Sequence, residues 1–61
     1  MNPTTENLEK AAQCADMLRA DLQVALRTAD PVAGLLILQL IERAAELARG
    51  IKALRSAREP Q

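Results

Sequence analysis

The chain of 61 residues has no histidine, phenylalanine, tyrosine or tryptophan, and it holds one cysteine, two glycines and three prolines. Each scarcity excludes something. Histidine is the side chain whose ordinary titration falls near neutral pH, so the usual base for a nucleophile is missing. A single cysteine allows no internal disulfide framework. Carboxylate metal sites in helix bundles rely on Glu-x-x-His pairs, and no histidine exists to complete one. With no aromatic ring, there is no platform on which a nucleic-acid base could stack.

The remaining candidates for chemistry are few. Cys14 reads as a small structural residue beside the apolar stripe of the first helix, with no basic partner to stabilise a thiolate. Ser56 is the only serine and lies near a helix end. Glu42 and Glu46 stand four apart on one helical face, which reads as a solvated acidic face rather than a metal site. No catalytic residue, cofactor or metal is therefore expected, and the chain reads as a non-enzyme.

Long apolar runs are missing as well. The longest, Val32 to Leu38, is followed by Gln39 and Glu42, whereas a membrane span needs about 20 apolar residues. Met1-Asn2-Pro3-Thr4-Thr5 has none of the layout of a secretory signal. The expectation is a soluble, cytoplasmic protein with no membrane contact.

What the chain does have is alanine, twelve times, and leucine, ten times. Both are strong helix formers. Apolar residues recur at alternating steps of three and four on each side of Asp30-Pro31. The first series is Leu8, Ala11, Ala15, Leu18, Leu22, Ala25, Ala29; the second is Ala33, Ile37, Leu40, Ala44, Leu47, Ile51, Leu54. That spacing draws one apolar stripe along each of two helices.

Asn2-Pro3 or Thr4 can cap the first helix, and Glu6 and Glu9 suit its positive end. The spacing predicts helix from about residue 4 to 28 and again from 31 to about 57. Pro31 drives Asp30 out of the helical region, and Asp30 then caps the second helix. Gly50 lies inside that helix, which the register carries onward through Ile51 and Leu54. Residues 59–61 read as a frayed tail. A link this short makes the two helices antiparallel neighbours, an all-α helical hairpin in one domain over residues 1–61.

A hairpin of this size buries little, and with neither disulfide nor metal the expected remedy is self-association into a four-helix bundle of two chains. Pairing the helices about the turn sets Ala15 opposite Ala44, and two facing alanines would leave a shallow groove for a second copy to fill. The expected dimer core is Leu8, Ala15, Leu18, Leu22, Ile37, Leu40, Ile41, Ala44, Leu47, Ile51 and Leu54. The loop half is apolar on outward positions too. Met17, Val24, Leu35 and Leu38 form a candidate patch for a protein partner.

Charge is balanced overall but not along the chain. Residues 1–30 carry three cations and five carboxylates, and residues 31–61 carry five and three. In a hairpin these lie side by side and pair. Arg49, Lys52, Arg55 and Arg58 close the second helix, where cations offset its dipole. They are also the candidate contact for a polyanion.

Asn2-Pro3 with Glu6, Leu8 and Ala11-Ala12, and later Gln39-Leu40-Ile41-Glu42, resembles a family of small uncharacterised bacterial helical-hairpin proteins. That resemblance implies the fold and no activity. In length and layout the chain is also similar to the Rop family, antiparallel dimers of hairpins that bind RNA. The expected function is that of a small bacterial or phage homodimer acting through protein–protein interaction, as a regulator or inhibitor. The alternatives are a Rop-like RNA- or DNA-binding regulator using the basic helix end, and a structural assembly subunit.

Overall fold

A computed structural model describes residues 3–58, which form two antiparallel helices, α1 (Pro3–Leu26) and α2 (Pro31–Arg58). They pack along their length into a slab measuring 46 × 14 × 12 Å between Cα atoms. Its thickness is about that of a single helix. Both broad faces are therefore open along the whole hairpin.

The turn follows from local chemistry. α1 stops at Leu26, two residues before the expected end, because the chain tightens into successive three-residue hydrogen bonds. Arg27, Thr28 and Ala29 donate their amides to the carbonyls of Val24, Ala25 and Leu26, a common way for a helix to end. The Thr28 hydroxyl donates to the Ala25 carbonyl at 3.3 Å. Asp30 then caps α2, its Oδ1 accepting from the Ala33 amide at 2.9 Å and its carbonyl from Gly34 at 2.7 Å. Pro31 takes the first helical position, where it has no amide to lose. The cap expected from Asn2 and the frayed tail at 59–61 fall outside the described residues.

α2 runs unbroken through Gly50 to Arg58. The two glycines differ in surroundings. A Cβ added at Gly34 would meet Leu26 Cδ1 at 3.6 Å, an ordinary contact, whereas one added at Gly50 would meet nothing within 4 Å. Gly34 sits where the helices close on each other near the turn. Gly50 has no close neighbour within the chain.

Between the helices lie alanines. The fully buried residues are Ala12 and Ala15 of α1 with Ala44 and Ala48 of α2, each 3–4% exposed. The groove expected at the Ala15–Ala44 level corresponds to a hollow that Ala44 helps to line. Small side chains let two backbones approach closely, and the alanine layer forms the seam of the hairpin. The hollow lies to one side of it.

Leu18, Leu40, Leu47 and Leu54 occupy that side, and they are 46–55% exposed. A hairpin contact is narrower than the three-four stripe read from the sequence. At 100° per residue, Leu40, Leu47 and Leu54 stand about 60–100° round α2 from the line of Ala44 and Ala48. Only half of the stripe meets the neighbouring helix: Leu8, Leu22, Ile37, Ile41 and Ile51 are intermediate in exposure.

Candidate interaction surface

The two long sides of the alanine layer have opposite chemistry. On one, ion pairs cross between the helices. Lys52 Nζ lies 3.2 Å from Asp16 Oδ2, and Arg55 Nη1 lies 3.7 Å from Glu9 Oε1. These pairs join the acidic first helix to the basic second, as the charge distribution implies. Two of the four basic residues proposed to meet a polyanion are thus engaged with carboxylates of their own chain, while Arg49 and Arg58 stand exposed.

The other side is a continuous apolar trough. A hollow of about 220 Å³ is lined by Leu18, Leu22, Leu40, Arg43, Ala44 and Leu47. A second, of about 450 Å³, continues along α2 beside Arg43, Glu46, Leu47, Gly50, Ile51 and Leu54. Leu40, Leu47 and Leu54 recur every seventh residue, so they line one side of α2 from its middle to its end. Arg43 belongs to both hollows, and Gly50 opens the floor of the second.

Leu36 extends this row one turn toward the loop, four residues before Leu40, and Val32 stands four before that. Both are exposed. The sequence reading places Gly50 inside α2 but does not single out Leu36, Val32 or Arg43. The signal for the two apolar ones was present in the four-residue steps from Val32 to Leu40. It was overshadowed by the stripe through Ala33 and Ile37, which turns toward α1.

Met17, Val24, Leu35 and Leu38, the candidate partner patch, are all exposed, at 47–66%. They do not form one surface. Met17 and Val24 stand about 120–200° round α1 from Ala12 and Ala15, on its outer edge. Leu35 lies about 180° from Ala44, on the outer edge of α2, which is the far side of the hairpin. Leu38 sits between that edge and the ion-pair side. The hairpin presents them as separate narrow strips.

Cys14 is exposed rather than tucked beside the seam. It stands about 200° round α1 from Ala12 and about 100° from Ala15, away from the side that packs on α2. Among the described residues no group of three or more His, Cys, Asp or Glu side chains is placed to hold a metal ion. No helix among them is long and apolar enough to cross a membrane. What the geometry offers is a surface for association. Comparison of the chain with protein families, with curated proteins and with solved structures finds no match in any of the three.

Proposed function

We propose that the chain is a non-enzymatic helical hairpin that works by associating with protein surfaces, first with a second copy of itself in a four-helix bundle. One observation carries this reading. Among the described residues the only buried ones are alanines, while the leucines of the apolar stripe line an open trough. Burying a leucine contributes about 1.5–3 kcal/mol, and an alanine seam supplies much less. The leucines are thus the largest unused source of stability in the molecule, and a protein surface is what could cover them.

The exposed loop-half residues remain outside that trough, Met17 and Val24 on one edge and Leu35 and Leu38 toward the other, and either strip offers a contact for a further protein partner through which the hairpin acts as a regulator or inhibitor. A polyanion docking on the C-terminal end of α2 would compete with Asp16 and Glu9 for Lys52 and Arg55. That weighs against the RNA- or DNA-binding alternative.

The test damages one surface at a time. Leu40→Ser with Leu47→Ser should convert an associated species to monomer, as read by sedimentation equilibrium. Leu35→Ser with Leu38→Ser should leave the association intact. If the first pair leaves the mass unchanged and the second lowers it, the trough is not the association surface.

A further inference from the structure

We draw no further inference here: the strongest candidate, the open trough along α2 lined by Leu18, Leu40, Leu47 and Leu54, is an unpartnered apolar face, and nothing in the structure shows what covers it.

Discussion

The two long sides of the hairpin are made from the same two helices and behave differently. On one side Asp16–Lys52 and Glu9–Arg55 bridge the helices in water. On the other, Leu18, Leu40, Leu47 and Leu54 stand open around a trough. The first side is tied by ion pairs within the chain. The second has the chemistry of an interior without anything on top of it. Alanine between the helices explains how both can exist: it holds the hairpin closed at short range and leaves the larger side chains to one flank.

Removing a trough leucine should have the largest effect. Leu40→Ala should cost about 2–5 kcal/mol if a second copy buries that side chain. A half-exposed leucine in an isolated hairpin would lose far less. Lys52→Ala on the opposite side is the control, and an exposed pair of this kind contributes only ~0.2–1 kcal/mol. Urea denaturation of both variants ranks them. Equal small losses would show that the two sides are equally solvated and end the contrast.

Enlarging the seam should come next in size. Ala15 is buried against α2, so Ala15→Leu should force the helices apart at a cost of about 1–3 kcal/mol. A neutral or stabilising result in the same denaturation series would mean that the alanine layer is loose.

Much of the fold is legible in the sequence because it depends on local chemistry. Asp30-Pro31 announces the cap that the Ala33 amide completes, and the apolar stripe continuing past Gly50 gives an unbroken α2. The end of α1 is less legible, since a tightening of the last turn changes no residue pattern. The site divides in the same way. Periodicity places Ala15, Ala44, Leu40 and Leu47 on one stripe, but it cannot say which half of a broad stripe the neighbouring helix will take. Side-chain volume decides that: the alanines permit the closest approach, so they go between the helices and the leucines go to the flank. Met17, Val24, Leu35 and Leu38 are legible as exposed, yet their separation onto opposite edges depends on the rotation of each helix about its own axis.

The most direct measurement is thermal unfolding followed by circular dichroism across a hundredfold range of chain concentration. If a second copy covers the trough, folding and association are one equilibrium and the midpoint rises with concentration. A midpoint that stays constant while sedimentation gives a folded species of 6.6 kDa would contradict the account, because the leucine side would then be stable in water by itself.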